Sequence, residues 1–170
     1  VFVGGSDSHV TKWHHTELED RDSHVSAGTQ VGWKRDAYRG GMTAIIAPRL
    51  TRKDLFDALY NRQCYATSGV SIFVDFRINN KIMGSDISTT SPPEIEVSVR
   101  GTAPLRSVEI IKSGQQFSRV KMDPGEGVKK LSFSTRDHMI IQGESHYYYL
   151  RVIQEDGNMA WSSPIWVTQA

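Results

Sequence analysis

The sequence lacks several features that would place it in a specialised class of protein. Lys and Arg number 20 against 19 Asp and Glu, which gives a formal net charge of +1. The chain therefore has no basic excess of the kind that neutralises nucleic-acid phosphates. No apolar run approaches the ~20 residues that a membrane-spanning helix needs. We expect neither nucleic-acid binding nor a membrane span.

Cysteine is nearly absent. With Cys64 alone, the chain can form no internal disulfide and must be held together by packing. A nucleophilic thiol needs a base beside it, and the sequence identifies none, so we predict that Cys64 is a buried packing residue. A disulfide-free chain is compatible with the cytoplasm, the periplasm or secretion. Because Val1 begins inside a strand-like run, we expect further sequence upstream in the parent protein.

Histidine, by contrast, is concentrated near the start. An apolar stretch, Val1–Val3, is typical of a buried strand and is followed by Gly4 and Gly5. On a continuing strand Asp7 and His9 would project to the same side. The alternative is a turn capped by Asp7, with His9 on the surface. Four of the six histidines lie in the first 24 residues: His9, His14, His15 and His24.

The next segment contains a long loop and one helix. Residues 10–41 show neither helical nor strand periodicity, which predicts a loop. Thr51 followed by Asp54 has the pattern of a helix N-cap, with Leu50 and Leu55 at the hydrophobic-staple positions. The spacing predicts a helix over about 52–63, and the small residues in 65–69 predict a turn.

After Gly69 the hydrophobic period changes to two. Asn79-Asn80 and Asp156-Gly157 are typical of tight hairpin turns. Several short strands without a helix pattern predict an immunoglobulin-like antiparallel β-sandwich over residues 70–170. The alternating apolar positions are Ile72, Val74, Phe76, Ile78, Ile95, Val97, Val99, Val108, Ile110, Leu131, Phe133, Tyr148, Leu150 and Val152.

Taken together, these segments resemble the carboxyl-terminal part of PHP-type (polymerase and histidinol phosphatase) metal-dependent hydrolases, within a large bacterial family of uncharacterised function. The last barrel strand of PHP proteins ends in Gly-Ser-Asp-x-His, which matches Gly5-Ser6-Asp7-Ser8-His9. The resemblance extends to 40–44, Thr51–Arg62, 62–69, 78–84 and the hairpin of 147–167.

The resemblance implies a mainly β chain with two parts. Residues 1–69 would be an α/β remnant: the last strand, a long loop and one helix of a PHP-type barrel. Residues 70–170 would be the accessory sandwich. The function implied is that of a metal-dependent hydrolase, a phosphoesterase acting on a phosphorylated small molecule. Because the remaining ligands would lie upstream, we expect this segment to be inactive alone.

The resemblance also implies roles for individual residues. Asp7 and His9 would be ligands of divalent Zn, Mn or Fe in the complete parent, and whether this segment alone holds a metal is left open. His14 and His15 could reach the same site from the loop, and Arg35 and Arg39 could contact an anionic substrate. The alternative interpretation is that these four residues are surface residues of a solvated loop. No catalytic residue is assigned.

A non-catalytic β-sandwich module that binds carbohydrate or protein is the alternative function. The aromatic run Tyr147–Tyr149 could suggest a sugar-stacking platform, but alternation places Tyr148 on the opposite side of the strand, which favours core and cross-strand packing. We also expect an exposed Val1–Val3 strand to pair with its own sandwich, to pair with a second copy in a homo-oligomer, or to be disordered.

Overall fold

The computed structural model describes residues 2–5, 40–112 and 118–170. These ranges hold one helix and twelve strands. In chain order they are β1 (Met42–Ile45), α1 (Arg52–Tyr60), β2 (Cys64–Thr67), β3 (Phe73–Ile78), β4 (Lys81–Ile82), β5 (Asp86–Thr89), β6 (Glu94–Arg100), β7 (Leu105–Lys112), β8 (Ser118–Met122), β9 (Lys130–Arg136), β10 (Ser145–Gln154), β11 (Met159–Ser162) and β12 (Ile165–Gln169).

Helix α1 begins where the sequence predicts. The Asp54 N–H donates to Thr51 Oγ1 at 3.1 Å, which satisfies one of the free amides of the first turn. The predicted staple does not form, because Leu50 is 91% exposed. The helix ends at Tyr60, earlier than predicted, because Arg62 takes a positive φ of 60° and leaves the helical region.

The turn predicted for residues 65–69 is wrong over its first part, which forms strand β2. All four residues of β2 are buried. The strand pairs with β1 on one edge and β11 on the other, so its backbone groups are satisfied by long-range partners.

The alternation after Gly69 is confirmed. Val74, Phe76 and Ile78 of β3 are buried, and the intervening residues face outward. Asn79 and Asn80 have φ angles of 49° and 61°, the combination that a two-residue hairpin between β3 and β4 requires. Ile72 also belongs to the core, although it lies just before β3.

Two sheets make up the fold. The large sheet has eight strands (β1, β2, β5, β7, β8, β10, β11 and β12), and the small sheet has four in the order β4-β3-β6-β9. β10 pairs with β7 on one edge and with β11 and then β12 on the other. The interruption between β11 and β12 falls at Ser163-Pro164, where Pro164 cannot donate to a ladder. The β12–β5 pair is parallel and the other pairs are antiparallel.

Both sheets contribute to one hydrophobic core, as in a β-sandwich. Phe76 and Val97 enter it from the small sheet, and Tyr148, Leu150 and Ile165 from the large sheet. The predicted mainly β fold with antiparallel sheets is confirmed. Within the residues that the structure describes, no helix has the length and apolar character needed to cross a membrane.

The large sheet continues across the predicted boundary at residue 69. β1 and β2 lie before it, and β11 lies after it, yet β2 and β11 are neighbours in that sheet. The division into 1–69 and 70–170 stays a prediction, but its two sides share a ladder of backbone hydrogen bonds.

A polar cluster at one end of the core predicts a pH dependence of stability. The Asp137 carboxylate lies 2.6 Å from Lys112 Nζ and accepts a 2.6 Å hydrogen bond from the Tyr148 hydroxyl. Burial acts to raise the pKa of Asp137, but hydrogen bonds from Lys112, Tyr148 and the Met139 N–H outweigh it and lower the pKa below the ordinary value of 3.8. Burial and Asp137 raise the pKa of Tyr148 in turn.

Because the folded-state pKa of Asp137 is depressed, its stabilising effect is present above the unfolded pKa and is lost as the pH falls through the folded one. We expect Asp137→Asn to lower the free energy of unfolding by about 1–2 kcal/mol more at about pH 7 than at about pH 2.5. Urea unfolding at the two pH values measures the difference. Lys112→Met should remove much of the same pH-dependent increment; equal losses at both pH values would contradict the assignment.

Candidate functional site

The predicted metal and substrate residues lie outside the described part of the chain. These are Asp7, His9, His14, His15, Arg35 and Arg39. The structure therefore neither brings them together nor separates them. What it describes is the segment that leads into them, residues 2–5, and the surface on which that segment lies.

Phe2–Gly5 is held against β1 by paired hydrogen bonds. The Gly4 N–H donates to Thr43 Oγ1 at 3.0 Å, and the Thr43 hydroxyl donates to the Gly4 carbonyl at 3.0 Å. The Gly41 N–H donates to the Gly5 carbonyl at 2.9 Å. The segment that ends at Gly5 is thus fixed to the large sheet of its own chain at two consecutive residues.

Close backbone approach explains the glycine at position 4. A Cβ there would overlap the Met42 carbonyl oxygen and lie 2.6 Å from the Met42 nitrogen. Gly41 lies at the same close approach of the two backbone segments, since a Cβ added there would lie 3.1 Å from Gly4 Cα. A Cβ on Gly5 would meet nothing within 4 Å. The predicted strand at Val1–Val3 is absent from the described residues 2–5, because their hydrogen bonds run to a side chain and a loop rather than to a ladder.

The same segment reaches an aromatic row on the outer face of the large sheet, the face turned away from the shared core. The Phe2 ring lies 5.4 Å from that of Tyr149, which stacks on Tyr147 at 6.5 Å. Tyr148 points into the core and is 1% exposed. The predicted division of the tyrosine run between two faces is confirmed.

A buried ion pair continues this face. Glu109 of β7 is 1% exposed, and its Oε2 accepts from Arg151 Nε at 2.7 Å and Nη2 at 2.6 Å. Ser107 Oγ donates to its other oxygen at 3.3 Å. Arg151 also lies opposite Trp161 of β11. The sequence analysis missed this pair, although alternation places Arg151 on the same face as Tyr147 and Tyr149.

Cys64 behaves as predicted. It is fully buried, and the Ser163 hydroxyl donates to its carbonyl oxygen at 2.6 Å. Burial raises the pKa of its thiol, more than the contact with Ser163 lowers it. A protonated, inaccessible thiol is a packing residue rather than a nucleophile.

The described residues contain no metal-binding cluster of their own. No group of three or more His, Cys, Asp or Glu side chains in residues 2–5, 40–112 and 118–170 is placed to hold an ion.

This chain combines a mainly β two-sheet fold with a glycine-anchored segment that leads into an Asp-x-His motif. It belongs to the family described as Protein of unknown function (DUF3604), whose model matches residues 2–102, more than half of the chain.

Three relatives are chlamydial proteins that are described as uncharacterized. An uncharacterized protein of Chlamydia pneumoniae is 41% identical over 142 residues, and uncharacterized proteins of Chlamydia muridarum and Chlamydia trachomatis are 37% identical over 142 residues. Each match covers 76% of this chain and 23% of the relative, so the chain spans about a quarter of their length. No solved structure matches the chain.

Proposed function

We propose that this chain is the carboxyl-terminal part of a PHP-type metal-dependent hydrolase that acts on a phosphoester, with Asp7 and His9 as two of its metal ligands. The observation that carries the proposal is the anchoring of Gly4 on Thr43 of β1 and of Gly5 on Gly41, the residue just before β1. It fixes the start of the Gly5–His9 motif at two consecutive residues, and a ligand strand needs such a rigid origin to hold its donors in position.

Helix α1 offers further support. Its surface exposes Phe56, Leu59 and Tyr60 at 66%, 41% and 80%, and the rings of Phe56 and Tyr60 stack at 6.3 Å. Contiguous exposed apolar residues mark surfaces that another structure covers. This is what we expect of a helix that belongs to a barrel whose other elements lie upstream, as they could in relatives about four times as long as the match.

In such a site the divalent metals would polarise a phosphoryl oxygen and lower the pKa of a bound water. Asp7 would supply a carboxylate oxygen and His9 an imidazole nitrogen, both common donors for Zn, Mn and Fe. His14 and His15 are proposed as auxiliary donors, and Arg35 and Arg39 as contacts to a phosphorylated substrate. The role of the β-sandwich would be to hold the ligand strand.

Metal analysis of the full-length parent tests the proposal. We expect Asp7→Ala and His9→Ala each to weaken metal binding by about tenfold or more, because each removes one donor from the site. Ser8→Ala, between them, and His138→Ala, an exposed histidine of the sandwich, are the controls and should keep wild-type metal content. Equilibrium dialysis followed by elemental analysis measures bound metal per chain.

Unchanged metal content in both ligand variants would overturn the proposal and favour the non-catalytic binding module. The isolated 170-residue chain provides a second test. Since the remaining ligands of the proposed barrel site would lie upstream, we expect it to show no phosphatase turnover. Turnover that survives Asp7→Ala would also count against Asp7 as a ligand.

A further inference from the structure

A second surface, remote in sequence from the Asp-x-His motif, lies on the outer face of the small sheet. A depression of about 280 Å³ is lined by Phe73 of β3, Ser98 and Arg100 of β6, and Lys130 and Ser132 of β9. These lining side chains lie in two adjacent cross-strand rows, Phe73–Arg100–Lys130 and Asp75–Ser98–Ser132, of which Asp75 does not itself line the depression.

The first row places two positive charges directly opposite each other. Arg100 and Lys130 are register partners in the β6–β9 pair, and both are exposed. Like charges at directly opposed positions destabilise a sheet. Neither side chain forms an ion pair with an acidic residue in the described part of the chain. Within that part of the chain, no ion pair offsets this repulsion.

The other arginines of this face, Arg77 and Arg136, each form an ion pair with an acidic side chain. Arg77 Nε lies 3.0 Å from Asp75 Oδ1, and Arg136 Nη2 lies 3.2 Å from Glu94 Oε2. Glu96 stands opposite Arg77 in the register. Asp75, in the row beside Arg100–Lys130, is thus paired with Arg77, and Glu94 and Glu96 lie toward the opposite end of β6, so the Arg100–Lys130 row keeps a local positive excess. That excess suits a small anionic group.

An apolar wall and a pair of hydroxyls complete the depression. The Phe73 ring is 46% exposed, and the Arg100 guanidinium carbon lies 5.8 Å from its centroid, which orients both groups. In the next row Ser98 Oγ and Ser132 Oγ are 2.9 Å apart. Each hydroxyl retains capacity to donate or accept a further hydrogen bond.

We propose that this depression binds an acidic carbohydrate. The sugar carboxylate would lie between Arg100 and Lys130, the C–H face of the ring would pack on Phe73, and ring hydroxyls would bond to Ser98 and Ser132. Two cations beside one exposed aromatic ring fit a carboxylated sugar better than a nucleic acid, which needs many phosphate contacts. The proposal is independent of the metal-dependent activity, because none of its residues lies near the Asp-x-His motif in sequence.

The test is a titration of the full chain with three probes: a trigalacturonate, a neutral galactose trisaccharide and inorganic phosphate. We expect the trigalacturonate to bind and to shift backbone amide signals of β3, β6 and β9. The neutral sugar and phosphate should bind at least about tenfold more weakly, because each offers only one of the two recognised features. Calorimetry gives the affinities and NMR the location.

Variants separate the contributions of charge and ring. Arg100→Gln, Lys130→Gln and Phe73→Ser should each weaken trigalacturonate binding by about tenfold. Arg136→Gln, on the same face but in the paired region, is the matched control and should change the affinity less than about twofold. Arg100→Gln and Lys130→Gln should also raise the Tm of the unliganded protein by about 1–3 °C, since each removes the opposed charge.

Three outcomes would overturn the proposal. Equal binding of the neutral sugar would remove the role of the cations, and equal binding of phosphate would reduce the surface to a simple anion site. Absence of amide shifts in β3, β6 and β9 at millimolar trigalacturonate would show that the depression is not a carbohydrate site.

Discussion

Gly84→Ala should lower the free energy of unfolding by about 3–5 kcal/mol. Gly84 has a φ of +91°, a conformation that costs an L-residue energy even in open space. Here the space is also filled, because an added Cβ would lie 2.5 Å from the Asn61 carbonyl oxygen and 2.6 Å from that of Arg62. Both neighbours are backbone atoms, which cannot rotate away as a flexible side chain can.

The contacts around Gly84 explain why the neighbouring backbone cannot move away without a further loss of stability. The Gly84 N–H donates to the Pro164 carbonyl at 2.9 Å, and Arg62 Nε donates to the Gly84 carbonyl at 2.9 Å. The Arg62 guanidinium also pairs with Asp86 at 2.6 Å and lies 4.7 Å from the centre of the Trp166 ring. The end of α1, the start of β5 and β12 therefore meet at one residue.

Urea unfolding followed by circular dichroism measures the effect. Gly157→Ala is the matched control: its φ is +82°, but a Cβ there would meet nothing within 4 Å. It should cost only the conformational penalty of about 1–2 kcal/mol. Equal losses for the two variants would mean that the close approach at Gly84 is relieved by a small shift and contributes nothing.

Local patterns predicted the parts of the fold that local chemistry decides. The Thr51 cap, the Asn79-Asn80 turn and the alternation of β3 and β6 all depend on residues within a few positions of one another. Their physical causes, an orphan amide, a positive φ and a half-buried face, are visible in the sequence itself. The early end of α1 could not be predicted, because the positive φ of Arg62 is stabilised by contacts with Gly84, Asp86 and Trp166.

Pairing between residues far apart in sequence accounts for the features of the fold that local patterns did not predict. Residues 65–69 read as a turn because most of them are small, but the first three belong to β2, which becomes a strand only between β1 and β11, the second of which lies more than ninety residues away. The Glu109–Arg151 pair spans 42 positions. Nothing near either residue in sequence identifies the partner. The same holds for the Arg100–Lys130 row, which depends on the β6–β9 register.

The candidate site likewise combines a local sequence pattern with a long-range contact. The Asp7 and His9 pattern is local and could be recognised from a short motif, whereas the contact that holds the segment before it joins Gly4 to Thr43, 39 residues later. Two glycine pairs at 4–5 and 40–41 were visible in the sequence as parts of two separate motifs. That they pack on each other follows only from the fold.

If the full-length parent is the phosphoesterase proposed above, Gly4→Ala should lower its hydrolysis of p-nitrophenyl phosphate about 100-fold while leaving the sandwich folded. The added methyl group would overlap the Met42 backbone, so Phe2–Gly5 must move away from β1 and break the two hydrogen bonds between Gly4 and Thr43. The core contains no residue of this segment, so the loss of stability should be small. The displacement would pass directly to Asp7 and His9, and a shift of about 1 Å is enough for such a loss of rate.

Gly5→Ala is the matched control, because a Cβ at Gly5 would meet nothing within 4 Å, and it should keep the rate within about threefold. Hydrogen exchange of the Gly4 amide distinguishes failure of the contact from failure of the proposed activity. Gly4→Ala should abolish the protection of the amide at position 4 even if the parent hydrolyses no phosphoester, since the bond to Thr43 Oγ1 belongs to the fold alone. Retained protection in Gly4→Ala would show that the close approach of Gly4 to Met42 accommodates a methyl group. Equal rates of hydrolysis for Gly4→Ala and Gly5→Ala would show that the contact of Gly4 with β1 does not position Asp7 and His9.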